Sequence, residues 1–159
     1  MLAPMDAGSL AAIFRSLNDE GVRYVVFGGI AVIARGVTRA TQDLDLFLDP
    51  APANVDAARR ALQRVFGDPA LDELTSSTMS EYGLVRYGPP DHDFVIDLTT
   101  RIGDAFAFAD LEASPVELHG ELVPVASVRT LIRMKRESRR DKDRSDVVRL
   151  RERHGIEEL

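Results

Sequence analysis

Residues 43–49 read Asp-Leu-Asp-Leu-Phe-Leu-Asp, an acid–leucine alternation of period two. Successive side chains of a strand point to opposite faces, so this stretch predicts a strand with Leu44, Leu46 and Leu48 on one face. Asp43, Asp45, Phe47 and Asp49 then share the other. The leucine face needs a core to cover it, which commits the chain to a sheet covered on that side. Anchored in this way, Asp43 and Asp45 are held rigidly, their Cα atoms about 7 Å apart at the usual strand rise. Two carboxylates so placed repel, and one tends to take up a proton unless a cation lies near. A pair of divalent cations removes that penalty and gives phosphoryl transfer its usual clamp. For any single acid here, an exposed position on an edge strand is the plainer alternative.

The same construction recurs in Asp-Phe-Val-Ile-Asp-Leu-Thr-Thr, residues 93–100. Phe94, Ile96 and Leu98 share one face, and Asp93, Val95, Asp97 and Thr99 the other. Asp97 sits mid-strand among β-formers, where a carboxylate needs a partner; Asp93, nearer the turn, is read as solvated. Two rival readings of the Asp43–Asp45 pair fail on spacing. A calcium loop counted from Asp43 would need glycine and glutamate where Leu48 and Asn54 stand. Gly28-Gly29 followed by Gly36 does not make a dinucleotide fingerprint. Spacing does not exclude a sugar-nucleotide transferase with a D-x-D turn on manganese, a distant rival whose nucleotide-binding fold normally needs a longer chain.

Around these strands the pattern predicts a helix from Ser9, as its cap, to Gly21, and a strand over 22–29. A short helix over 30–36 follows, then the strand over 42–49. A helix from Asn54 to Phe66 turns Val55, Ala58, Leu62 and Val65 inward. Residues 68–80 read as a loop or irregular helix. Strands are predicted at 83–88 and 93–100, and two short ones within 115–124 around His119-Gly120. A helix capped by Ser127 runs to about Ser138, and Asp141 to His154 forms the last. The order predicts an α/β (α+β) fold, a small mixed β-sheet flanked by helices with a C-terminal helix pair. We expect one domain over residues 1–159, with its core at about 22–100 and the helix pair at about 127–154.

At 159 residues the chain supports one modest core. It has no cysteine, hence no disulfide or thiolate zinc site. No apolar run is long enough for a membrane span, and the first residues lack a basic leader, so a cytoplasmic protein without membrane contact is expected. The net charge of −6 conceals an asymmetry. Residues 129–153 hold 11 Lys/Arg against 5 Asp/Glu, whereas the remainder holds 9 basic and 21 acidic residues. Such a basic segment can meet phosphates, or can simply be a solvated helix face. His92, His119 and His154 show no metal-site spacing.

Gly28 and Gly29 close one strand and open a helix, where bare backbone and free N–H groups can approach an anion. A tight strand-to-helix turn is the simpler alternative. Their distance in sequence from Asp43-Leu44-Asp45 would set a phosphate at the glycines beside cations at the aspartates. This arrangement, with Asp97 on a later strand, resembles the nucleotidyltransferase superfamily that includes DNA polymerase β. Arg39-x-Thr41-x-Asp43-Leu44-Asp45 is similar to its AbiEii-type branch, associated with toxin–antitoxin and phage-defence systems. That branch also carries a lysine followed by K-D-x-x-D, for which the chain offers Lys135, Asp143 and Asp146. Two departures are visible: the superfamily often has Gly-Ser where this chain has Gly-Gly, and no further domain is evident to grip a large acceptor.

The resemblance implies transfer of NMP from an NTP to a hydroxyl of RNA, tRNA or protein, with release of pyrophosphate. It implies two Mg²⁺ (or Mn²⁺) ions on Asp43 and Asp45, with Asp97 completing the second ion's shell or acting as base. It further implies Gly28 and Gly29 at the phosphates, and Arg35, Arg39 and Lys135 as neutralising cations, with Thr41 orienting the loop. Asp143, which shares a helix face with Val147 and Leu150, joins the site through Lys135; a buried Lys135–Asp143 pair tying two helices is the structural alternative. A cognate toxin or antitoxin is an implied partner. A silent relative that binds a nucleotide or partner is the functional alternative, and the three retained carboxylates favour the enzyme.

Overall fold

The computed structural model describes residues 6–135 and 141–156. Helix α1 spans Ala7–Asp19 and leads into β1, Tyr24–Phe27; α2, Gly28–Ala34, follows without a loop. Next come β2, Asp43–Leu48, and α3, Pro52–Phe66. A 3-10 turn over Pro69–Glu73 and α4, Ser76–Tyr82, lead to β3, Leu84–Tyr87, and β4, Val95–Thr99. A two-residue-strand hairpin pairs β5, Arg101–Ile102, with β6, Phe106–Ala107. A second hairpin, β7 at Ala113–Leu118 and β8 at Glu121–Ala126, precedes α5, Val128–Lys135, and α6, Asp141–His154. The sequence-predicted end of the fifth helix, near Ser138, lies outside the described residues.

Six strands form one mixed sheet in the order β3-β4-β2-β1-β8-β7. The β2–β4 and β1–β8 pairs are parallel and the others antiparallel. Helix α1 packs on α3, and α5 packs on α6 and α2. The fold is the expected mixed sheet flanked by helices and ending in a helix pair. Leu44, Leu46 and Leu48 are fully buried, as the alternation requires. Phe47 is buried as well, and its ring meets Phe27 edge-on with centroids 5.7 Å apart. The acid-bearing face of β2 therefore turns apolar one step past Asp45, so Asp43 and Asp45 stand at the edge of a packed floor.

Several boundaries differ from the sequence expectation. The cap of α1 is Asp6: its carboxylate accepts the Ser9 backbone N–H at 2.7 Å and the Ser9 hydroxyl at 2.8 Å. Asp6 outcompetes Ser9 because a carboxylate accepts both bonds at once, leaving Ser9 as a donor in the first turn. Residues 68–80 take the second of the two expected forms, an irregular helix, since Asp68 and Thr75 each cap a short segment by accepting a backbone N–H. The β5–β6 hairpin has no sequence signal beyond Gly103, and β7 begins two residues before Pro115. The tight turn at His119-Gly120 is present; both residues take positive φ, as a two-residue hairpin loop requires.

Candidate active site

The β1–α2 junction, the start of β2 and helices α5 and α6 enclose a cavity of about 310 Å³. Of the ten site residues expected from sequence, eight line it: Gly28, Gly29, Arg39, Thr41, Asp43, Asp45, Lys135 and Asp143. Phe27, Ile102, Leu131 and Met134 add an apolar wall. The junction has its shape because Gly28 takes φ of +65° and carries no side chain. A Cβ there would lie 2.0 Å from the Asp45 carboxylate oxygen, so only glycine lets that carboxylate sit against the backbone. At Gly29 a Cβ would meet the Thr41 hydroxyl at 2.8 Å. Gly29 thus admits Thr41, and its missing side chain does not face open space. Thr41 in turn folds the entry to β2: its Oγ1 accepts the Asp43 N–H and donates to the Asp43 carbonyl, both at 3.3 Å.

Opposite the aspartates stands a buried ionic quartet. Lys135 Nζ donates to Asp143 at 2.6 Å and lies 3.2 Å from Asp146. Arg39 donates to the same Asp146 oxygen at 2.5 Å. Lys135, Asp143 and Asp146 are each at least nine-tenths buried. The face of α6 that carries Asp143 also buries Val147 and Leu150, so the expected helical stripe is present. The structural alternative for Lys135 is therefore realised: it ties α5 to α6 while its side chain also lines the cavity. Asp146 is the member that the sequence reading placed in a motif but not in the site. Among the described residues, two cations and two carboxylates meet in this wall.

The remaining two residues are placed outside the lining. Arg35, the C-cap residue just after α2, turns its guanidinium to the end of β8. There it donates to the carbonyls of Ala126 at 3.1 Å and Val125 at 2.8 Å and to the Ser114 hydroxyl at 2.9 Å. Burial lowers its pKa from the ordinary arginine value. The expectation of a triphosphate-facing Arg35 is thus corrected: the group fastens α2 to the β7–β8 hairpin. Asp97 sits on β4 directly beside Asp45 in the parallel register, as the three-carboxylate reading requires. Both its oxygens, however, accept from one guanidinium, Arg86 Nε at 2.9 Å and NH2 at 3.1 Å.

Arg86 was not picked out from the sequence. It faces Asp97 through the β3–β4 pairing, which places Arg86, Asp97 and Asp45 in one row across three strands. The pKa of Arg86 is raised, chiefly by its hydrogen bonds to Asp97, then by the Asp97 charge and to a lesser extent by Asp43 and Asp45. Its guanidinium therefore lies in the field of all three carboxylates. Among the described residues, no group of three or more His, Cys, Asp or Glu is placed to hold a metal ion.

The fold is similar to that of several solved structures. The lincosamide antibiotic adenylyltransferase LnuA, solved with lincomycin bound, is 14% identical, covers 94% of this chain and 98% of its own, and superposes with a TM-score of 0.58. ANT(2")-Ia, solved with adenylyl-2"-tobramycin, is 16% identical over 92% of this chain and 87% of its own, with a TM-score of 0.54. An antigenic nucleotidyltransferase-like protein from Paracoccidioides brasiliensis is 16% identical over 93% and 78%, with a TM-score of 0.56. At such identities the likeness is one of fold. No curated protein matches the sequence. Residues 7–155, nearly the whole chain, match the family described as "Nucleotidyl transferase of unknown function (DUF2204)", and the protein belongs to that family of nucleotidyl transferases.

Proposed function

We propose that the chain moves NMP from an NTP to a hydroxyl of RNA, tRNA or a protein, in a site built on Asp43 and Asp45. The observation that carries this reading is the meeting of those two carboxylates with Gly28, Gly29 and Thr41 in one cavity. The reaction forms a bond from the acceptor oxygen to the α-phosphorus and breaks the bond to the β-phosphate oxygen. The acceptor proton leaves to a base, and pyrophosphate departs. The donor set suits a hard divalent cation, because it offers carboxylate oxygens and the missing Cβ of Gly28 leaves room for the Asp45 carboxylate. Mg²⁺ or Mn²⁺ held by Asp43 and Asp45, with Asp97 as a third ligand, would polarise the triphosphate and lower the pKa of the attacking hydroxyl.

The chain's own residues have narrower tasks. Gly28 and Gly29 border the triphosphate site and leave room for Asp45 and Thr41 against the backbone. Thr41 fixes the strand entry that aims Asp43. Arg39 and Lys135 border the cavity, but Asp143 and Asp146 balance their charge. They therefore shape the triphosphate site. Asp97 can take the acceptor proton only when its pair with Arg86 opens.

The acceptor class and a cytoplasmic toxin–antitoxin or phage-defence role, with a cognate partner, rest on the Arg39-to-Asp45 motif. For LnuA, with lincomycin bound, and ANT(2")-Ia, with adenylyl-2"-tobramycin, the acceptors are small antibiotics. A second reading, a silent module that binds nucleotide or a partner, draws on one observation, the closed Arg86–Asp97 pair. Incubation with each α-labelled NTP, Mg²⁺ and separate pools of RNA, protein and small hydroxyl compounds decides among them. Label in RNA or protein supports the proposal, and label in the small-molecule pool reassigns the acceptor. Nucleotide binding without label in any pool favours the silent module.

A further inference from the structure

The Arg86–Asp97 pair is unequal in a way that a structural ion pair need not be. Asp97 is 7% exposed and fixed in the middle of β4. The Arg86 side chain is 66% exposed, on the edge strand of the sheet. The carboxylate is therefore held by the fold, whereas the guanidinium reaches it from solvent and can leave without unpacking anything. Across the sheet the row continues to Asp45, which backs onto Gly28 in the cavity. A cation that joins Asp97 to the Asp43–Asp45 pair would have to take the Asp97 oxygens that Arg86 now holds through two bonds.

We propose that Arg86 is an internal cation that competes with a divalent ion for Asp97, so that the resting protein takes one such ion on Asp43 and Asp45 and a second only when the guanidinium swings out. Such a device solves the repulsion problem set by three acids on neighbouring strands: the sheet keeps a charge partner before metal arrives. It also makes the third carboxylate conditional. Anything that draws Arg86 away, such as an anionic group on an incoming acceptor, would free Asp97 for the reaction. Arg86 is then a positioning residue, acting through Asp97.

The inference rests on the metal-binding reading of Asp43 and Asp45, and the test separates the two. Mn²⁺ binding to the full chain is followed by electron paramagnetic resonance and by calorimetry, without nucleotide, for the wild type, Arg86→Met, Arg86→Lys and Asp43→Asn. If Arg86 holds Asp97 closed for nine-tenths of the time or more, its removal tightens the second Mn²⁺ by about tenfold or more. Arg86→Lys, which keeps the charge but not the fork, should fall between wild type and Arg86→Met. Loss of the first Mn²⁺ in Asp43→Asn supports the underlying metal reading. Identical or weaker Mn²⁺ binding in Arg86→Met overturns the role of Arg86 while leaving that reading in place. Unchanged Mn²⁺ binding in Asp43→Asn overturns both. Should Arg86→Met fail to fold, Arg86→Lys with wild-type Mn²⁺ stoichiometry and affinity overturns the role of Arg86 by itself.

Discussion

Lys135→Met isolates the ionic quartet on the cavity wall. The wild type balances two cations, Arg39 and Lys135, against Asp143 and Asp146, all within 3.2 Å of a partner. Methionine fills a similar volume but removes one positive charge from a site whose two carboxylates are 3% and 2% exposed. Asp146 keeps Arg39, and Asp143 loses the ammonium 2.6 Å away. Breaking one side of a buried pair costs roughly 3–5 kcal/mol, and the surviving Arg39–Asp146 pair argues for the lower end, near ~3 kcal/mol. For a chain of this length that lowers the melting temperature by about 6–12 °C, a large share of a total stability of order 5–15 kcal/mol. The double variant Lys135→Met with Asp143→Leu restores charge balance, leaving one cation and one carboxylate, and should recover most of the loss. Thermal melts followed by circular dichroism, with the two single variants completing the cycle, give the coupling directly. A single variant melting within about 2 °C of wild type, or a double variant less stable than Lys135→Met, would refute the reasoning.

Three further outcomes follow from particular contacts. Gly28→Ala forces a Cβ to 2.0 Å from the Asp45 carboxylate at a φ of +65°; stability read from thermal melts should fall by more than the ~1–2 kcal/mol that left-handed backbone alone costs, with metal binding lost as Asp45 is displaced. Arg35→Ala should leave NTP affinity unchanged while lowering the melting temperature, because its guanidinium holds β8 carbonyls away from the cavity; a calorimetric loss of NTP affinity without destabilisation would contradict that placement. Asp6 carries a pKa lowered from its ordinary 3.8, first by the Ser9 backbone N–H and then by the Ser9 hydroxyl. A depressed carboxyl stabilises the fold above its unfolded pKa and loses that effect as pH falls through the folded one. The melting-temperature gap between wild type and Asp6→Ala should therefore be full at neutral pH and close in acid.

What the sequence made legible is what one element determines alone. The alternation of Asp43-Leu44-Asp45-Leu46 names a strand and its faces, because the period belongs to the strand itself. The stripe Asp143, Val147, Leu150 likewise names the buried side of α6. Arg86 was not legible, because its meaning depends on the β3–β4 register, which sets residue 86 against 97. A count back through the Pro89-Pro90-Asp91 turn is the signal that could have found it. Arg35 misled for a related reason: spacing put it near the glycines, but a helix of only seven residues turns that side chain toward β8. Asp6 displaced Ser9 as the cap through competition between two acceptors, which no single-residue preference resolves.

The central claim is that Asp43 and Asp45 carry metal-dependent transfer. Its most direct test is pyrophosphate release from α-labelled NTP, in the presence of Mg²⁺ and the acceptor pools, by wild type and by Asp43→Asn. Circular dichroism melts establish that the variant remains folded. The account predicts Mg²⁺-dependent release coupled to labelling in the wild type and none in Asp43→Asn, with a melting temperature no lower than wild type, because losing one of two neighbouring acids relieves repulsion. Release by Asp43→Asn at near wild-type rate would contradict it.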